Sequence, residues 1–262
     1  MNDVDFHAAR VALRDARRSA RCVQALASAC KPGELACAYR LQRAVAADLG
    51  PIRGWKISGL TAEQQRAMGV ECPLAAPLLG PWLHPSGAEL RIDAFVRPRL
   101  ECEFAFALAV DLPSRARAHE RAEVEAAIGA LRLGVEIVDS RLPPGSGILV
   151  ELADDLNNGA YVAGPPIAAW QDIDYAHSPI ALRRLEGDKR ESLAQGDGRA
   201  ILDGDPVAAV ALLANLPALH PRGLRAGDIV TTGSCTGALA LPGPGDYEAD
   251  FGPLGTVRFR FS

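Results

Sequence analysis

The spacing of apolar positions changes once along the chain. Between residues 3 and 49, Ala, Arg and Leu dominate, and Leu35, Tyr39, Leu41, Val45 and Leu49 recur near a helical period, with Gly50-Pro51 as a stop. Two helices are predicted there. Thr61-Ala62-Glu63-Gln64 has the form of a capping box for a short helix ending near Gly69, and residues 120–133 read as a further helix. Asp205-Pro206 supplies an N-cap and a first-turn proline for a helix running to Asn215. From about residue 80 the pattern becomes strand-like, with β-prone runs at 89–95, 100–110, 133–138, 159–162, 228–232 and 256–261 set apart by Gly and Pro. The division predicts an α+β protein, with a helical N-terminal region over 1–79 and a strand-rich domain over 80–262.

One strand carries acids where hydrophobes are expected. In the run from Leu100 to Val110, a period of two puts Glu101, Glu103, Ala105 and Ala107 on one face and Cys102, Phe104, Phe106 and Leu108 on the other. The alanines that follow the acids indicate that both faces are covered. Two carboxylates roughly 7 Å apart on a covered strand repel each other and are costly to desolvate unless a cation compensates. The simplest such cation is a divalent metal, and Glu136, in the equally apolar run 133–138, is a third candidate ligand. An exposed edge strand with solvated acids is the plain alternative, as is a structural ion-pair network of Glu136, Asp139 and Arg141. An all-oxygen donor set favours Mg²⁺, Mn²⁺ or Ca²⁺ over Zn²⁺. The five histidines (7, 84, 119, 177 and 220) lie outside the acidic blocks and form no ligand spacing.

Composition narrows the class. The chain has 262 residues, 48% apolar, long enough for one sizeable core with a small accessory region. A formal charge of −4, with basic patches interleaved by acids and alanines, argues against nucleic acid. No apolar run is long enough for a membrane span, and the first residues lack the apolar core of a signal peptide. Six cysteines without a CxxC pair read as reduced thiols, so a cytoplasmic location is expected.

Several blocks, taken in order, resemble one family. They are Gly54-Trp55-Lys56-Ile57, Gly59-Leu60-Thr61, Gln65 with Met68-Gly69-Val70, Glu101-x-Glu103-x-Ala105-Phe106, Glu136-Ile137-Val138-Asp139-Ser140-Arg141, Ala153-Asp154, and Leu224-x-Ala226-Gly227-Asp228-Ile229-Val230-x-Thr232-Gly233-Ser234. From about residue 35 onward, their order and spacing resemble the 2-keto-4-pentenoate hydratase and 4-oxalocrotonate decarboxylase branch of the fumarylacetoacetate hydrolase superfamily. The resemblance implies a mixed β-roll catalytic domain behind helices, Mg²⁺ or Mn²⁺ as cofactor, a homo-oligomer built from dimers, and a small 2-oxo acid or 2-hydroxy-dienoate of aromatic catabolism as substrate. It puts the metal ligands on Glu101, Glu103 and Glu136 and the active-site lysine on Lys56, with Asp155 as a further catalytic candidate. Arg141, Thr232 and Ser234 are the substrate-binding candidates, Asp139 a partner of Arg141 or of metal-bound water. Read alone, Lys56 could be a surface lysine, and Thr232 and Ser234 ordinary strand-end residues. Flanked by Trp55 and Ile57, Lys56 is expected to be half-desolvated, with a pKa low enough for proton transfer or a charge placed to hold a carboxylate.

The chain also departs from the family pattern. An acidic residue expected after Gly69-Val70 is replaced in the stretch Cys72-Pro73-Leu74, Asp155 stands where an Asn is expected, and Asp205 where a His is expected. Leu74 is predicted to dry the far end of the pocket, and Asp155 to disfavour an anionic substrate. Both point away from the simplest 2-hydroxypentadienoate toward a bulkier oxo acid. The expected activity is that of a metal-dependent hydro-lyase. Decarboxylation of a 2-oxo acid, hydrolysis of an acylpyruvate, or a non-catalytic assembly role on the same fold are the alternatives.

Overall fold

The structure is a computed structural model that describes residues 1–23, 26–219 and 221–262, so His220 lies outside the described residues. Helix α1 (Asp3–Ser19) starts where the Asn2 side chain accepts from Asp5 N, and it carries acids in its first turn and arginines in its last, matching its dipole. It buries Ala9 and Leu13 against Leu41 and Val45 of α2 (Leu35–Leu49). Strand β1 (Ile52–Ser58) follows, then α3 (Ala62–Met68), in which both halves of the predicted capping box are made and Gly69 closes the end at φ 70°. Next come β2 (Leu74–Leu79), β3 (Leu83–Pro85), β4 (Ala88–Leu90) and β5 (Arg99–Leu108). Within the predicted strand at 89–95, pairing stops at Leu90 and a 3₁₀ turn occupies Ile92–Ala94.

The helix predicted over 120–133 is shorter than expected. Helix α4 (Arg121–Ala127) ends at Ile128, and the chain continues directly as β6 (Ile128–Val138). Pairing with a strand on each side decides the conformation. Helix α5 (Ile148–Ala153), β7 (Asn158–Ile167), β8 (Pro179–Glu186) and β9 (Lys189–Asp197) come next. Helix α6 (Pro206–Ala214) is capped by Asp205, whose side chain accepts from Ala208 N as predicted. Strands β10 (Ile229–Ser234), β11 (Leu239–Ala240), β12 (Gly245–Asp250) and β13 (Thr256–Phe261) complete the chain.

Among the described residues the strands form two sheets. The larger has the order β2-β1-β10-β5-β6-β7-β3, with β11 also on β5, and the smaller runs β4-β13-β12-β8-β9. Strands β1 and β2, from the N-terminal side of residue 80, are therefore hydrogen-bonded into the larger sheet. On β5, Cys102, Phe104 and Phe106 face the main core, where Phe104 meets Phe251 and Tyr175, and Phe106 meets Trp170. That packing leaves the opposite face of the sheet for the acids, as the period of two requires. No described helix is long and apolar enough to cross a membrane.

Candidate active site

Strand register assembles the acidic cluster. Glu101 of β5 pairs directly with Glu136 of β6, and Glu103 pairs with Gly134, so all three acids share one face of the sheet. Ligand oxygens of Glu101, Glu103 and Glu136 lie within 4.8 Å of one another, and among the described residues this is the one group of three or more His, Cys, Asp or Glu with metal-binding spacing. Glu103 and Glu136 are buried. From β1, which β10 separates from β5 in the same sheet, Lys56 Nζ reaches Glu136 Oε1 at 2.6 Å and the carbonyl of Leu156 at 3.2 Å. Asn158 Nδ2 donates to the same Glu136 oxygen at 2.9 Å, and Gly233 N donates to Glu103 Oε2 at 3.2 Å.

The electrostatics follow from burial. Desolvation, reinforced by Glu136, pushes the Glu101 carboxyl up to about 7, against the pull of Lys56. Glu103 is driven well above the ordinary carboxylate range by burial and by its two acidic neighbours. Burial alone would lower the Lys56 pKa, but the field of Glu136, Glu101 and Glu103 outweighs it and the net direction is upward. The expected fall in the Lys56 pKa is thus reversed, because its partner is a carboxylate at hydrogen-bond distance. Three carboxylates and one ammonium leave two formal negative charges, which one divalent cation would balance. Glu136 Oε2 is buried without a protein hydrogen-bond partner, an orphan atom that an ion would satisfy. The donor set fits Mg²⁺ or Mn²⁺, and Glu101, Glu103 and Glu136 would hold it.

These groups open into a cavity of about 320 Å³. Its remaining walls come from β1 and α3 (Ile57, Leu60, Gln64, Met68) on one side and from Ala200, Ile201, Gly233 and Ser234 on the other. Gly233, at φ 101°, sits between Leu60 and Ile201, whose side chains a Cβ there would touch. Lys56 is the one cation in this lining.

Not every predicted residue reaches the cavity. Ser234 does, with its Oγ buried and unpartnered. Thr232 does not, since it is fully buried and its hydroxyl donates to the Phe104 carbonyl at 2.8 Å. Arg141 is buried and committed to Asp154, at 3.1 Å, and to the Asn158 carbonyl, with Asp139 3.8 Å away. Asp139 itself accepts from the backbone N–H groups of Val96 and Arg97. Asp155 faces away from the cavity toward Arg17, 3.8 Å off, and burial raises its carboxyl to about 7. Leu74 packs with Ala38, Tyr39 and Leu152 in the core beneath β2, not in the cavity wall. Leu74 and Asp155 therefore do not steer the cavity toward a bulkier substrate. His119 bonds the Pro113 carbonyl, and no described histidine joins the cluster.

Other residues escaped the sequence reading. Asn158 touches Glu136 directly, and Arg17, buried on α1, bonds the carbonyls of Asn158 and Gly159. The signal for Arg17 was its place on the stripe of Ala9, Leu13 and Ala16, where an arginine is out of character. Tyr161 pairs with Glu136 across β6 and β7 and lays its ring over Gly134, where a Cβ would lie 1.9 Å from the phenol oxygen.

Comparison with known proteins places the chain among hydratases and decarboxylases. The chain is 30% identical over its whole length to a 2-keto-4-pentenoate hydratase of Burkholderia vietnamiensis, covering 98% of that protein, and 31% identical to one of Paraburkholderia phymatum, again over 98%. A 4-oxalocrotonate decarboxylase of Pseudomonas putida is 30% identical over 78% of this chain and 75% of its own. The fold matches the 4-oxalocrotonate decarboxylase of Pseudomonas putida G7, solved with magnesium and adipate, at a TM-score of 0.87 and 22% identity over 100% of this chain and 99% of that one. A fumarylpyruvate hydrolase of Pseudomonas aeruginosa, solved with Mn²⁺ and pyruvate, aligns at a TM-score of 0.55 and 18% identity over 81% and 90% of the two chains. No family model matches the chain. The chain belongs to the family of the 2-keto-4-pentenoate hydratases and 4-oxalocrotonate decarboxylases. The sequence resemblance and the expected fold are both borne out.

Proposed function

We propose that the chain is a divalent-metal-dependent hydro-lyase that adds water to a short 2-hydroxy-dienoate or its 2-oxo tautomer. The observation that carries this reading is a cluster of three acids, two buried and Glu101 half-buried, with one lysine, opening into a cavity whose other walls are largely apolar and carry no second cation. Such a lining suits a substrate with one carboxylate and a small apolar tail. A substrate with carboxylates at both ends, such as 4-oxalocrotonate, would need a second positive group at the far wall, which favours hydration over decarboxylation.

Glu101, Glu103 and Glu136 would hold a Mg²⁺ or Mn²⁺ ion, which would supply Lewis-acid polarisation of a 2-oxo group. The chain's own residues do the rest. Lys56 spends two of its three N–H donors on Glu136 and the Leu156 carbonyl, which leaves the third for a substrate oxygen or for proton delivery. Glu136, at 2.6 Å, holds the Lys56 ammonium in place. Gly233 N orients Glu103, and the free Ser234 hydroxyl is placed to donate to a substrate carboxylate. Leu60, Ile57 and Ile201 screen this end of the cavity from bulk water, which strengthens each of these interactions.

Six free cysteines support a cytoplasmic enzyme, and the resemblance supports a homo-oligomer built from dimers. The test is a steady-state panel with Mg²⁺: water addition to 2-hydroxypentadienoate near or above about 10⁵ M⁻¹s⁻¹, abolished by EDTA and restored by metal, is the expected outcome. Faster CO₂ release from 4-oxalocrotonate would replace hydratase by decarboxylase, and metal-independent turnover would reject both.

A further inference from the structure

The buried face of α1 ends against Asn158, which in turn touches the candidate metal centre. Arg17, with only 3% of its side chain exposed, lies 4.5 Å above the Trp82 ring and sends its guanidinium into the start of β7. One terminal nitrogen bonds the Asn158 carbonyl. The other reaches Asn158 Oδ1 at 3.3 Å and the Gly159 carbonyl at 3.0 Å. Because Oδ1 of Asn158 accepts from Arg17, its Nδ2 is turned toward Glu136 Oε1, 2.9 Å away. That oxygen also receives Lys56, so both donors fall on Oε1, and Oε2 is left without a protein partner.

The preceding turn is held by the same groups. Asp155, Leu156 and Asn157 all have positive φ, at 66°, 49° and 59°, an unusual run for non-glycine residues. The turn persists because the Leu156 carbonyl is fixed by Lys56, the Asn157 carbonyl accepts from Asp139 N at 2.7 Å, and Arg17 stands 3.8 Å from Asp155.

We propose that Asn158 is a positioning residue for Glu136 and that Arg17 of the N-terminal helix fixes the orientation of Asn158, so that divalent-cation affinity depends on α1. The reading rests on the metal assignment to Glu101, Glu103 and Glu136. Outer partners of a ligand set its direction, and their loss commonly weakens metal binding about 10–100-fold.

The experiment is calorimetric titration of Mn²⁺ into the full chain, with the fold followed by circular dichroism. Asn158→Ala is expected to weaken Mn²⁺ binding about 10–100-fold. Arg17→Lys keeps the charge but loses the fork, and it should weaken binding in the same direction. Two controls on α1, Arg10→Ala and Leu13→Val, should lower thermal stability without moving the Mn²⁺ affinity. If the wild type binds Mn²⁺ and both Asn158→Ala and Arg17→Lys bind it within about twofold of wild type, the positioning role is overturned while the metal assignment stands. If Asn158→Ala does not fold, Arg17→Lys alone decides the matter by the same criterion. A wild type that binds no Mn²⁺ overturns the metal assignment and this role with it.

Discussion

Glu101 and Glu136 stand directly opposite each other in the antiparallel ladder of β5 and β6, and only Glu136 has a lysine at hydrogen-bond distance. Like charges so placed destabilise a sheet. The metal-free protein should therefore gain stability when Glu101 becomes neutral. The folded-state pKa of Glu101 is raised to about 7 from an ordinary 4.5, so its favourable share of stability is present at low pH and is lost as pH rises from about 4.5 through 7. At pH 8 in EDTA, Glu101→Gln is expected to melt several degrees above the wild type, and at pH 5 the gap should shrink. In saturating Mg²⁺ only the wild type should gain stability. Differential scanning fluorimetry over this grid checks the expectation, and a Glu101→Gln protein that Mg²⁺ still stabilises would count against the ligand role.

Lys56 has a different signature. Lys56→Ala should reduce kcat roughly 10²–10⁴-fold, the range for one positioned acid–base group. Mn²⁺ affinity should hold or rise, because the ammonium that competes for Glu136 is gone. Single-turnover kinetics on metal-saturated enzyme, set beside calorimetry, separates the two effects. Collapse of metal binding with normal turnover by the loaded fraction would make Lys56 structural.

Asp155 is the place where the chain carries an acid instead of an expected amide, and its carboxyl is held at about 7 by burial against an ordinary 3.8 despite Arg17. The folded state binds the extra proton between these values, so the contribution of Asp155 to stability falls as pH rises from about 4 to 7. Asp155→Asn should flatten the decline of melting temperature between pH 5 and 8 and leave kcat near the wild-type value, since the side chain does not line the cavity. A large loss of kcat would return Asp155 to the catalytic set.

Two hydroxyls on β10 should separate cleanly. Thr232→Val removes a buried hydrogen bond to the Phe104 carbonyl and is expected to cost about 1–3 kcal/mol of stability with little change in KM. Ser234→Ala removes an unpartnered hydroxyl in the cavity, so KM for the substrate should rise with stability unchanged. Urea unfolding and steady-state kinetics on the pair suffice, and a reversed pattern would exchange their roles.

Much of the centre was legible because strand alternation is a local rule: it put Glu101 and Glu103 on one face and left Phe104 and Phe106 to the core. The apolar run 133–138 offered Glu136, the resemblance added Lys56, and the fold brings both to the same place. What stayed hidden depends on distant partners. Arg141 has the look of a substrate arginine until the fold supplies Asp154, and Thr232 that of a donor until the Phe104 carbonyl is found opposite it. The misread stretch 128–133 has a composition a helix tolerates, and only its two neighbouring strands make it extended. Asn158 and Arg17 meet across a separation of 141 residues, beyond the reach of any periodicity.

Helix α3 supplies Gln64, Ala67 and Met68 to the cavity wall, yet none of its residues is fully buried, and its ends are set by its own capping box and by Gly69. A wall of this kind is modular. Met68 packs on the core and Gln64 closes the capping box, but a substitution at the exposed Ala67 touches neither of these nor the acidic centre, so the cost of changing the substrate tail there is decoupled from the cost of folding. Selection at that position, in nature or in a library, can therefore move the range of accepted tails by single steps while the bond-making apparatus stays constant.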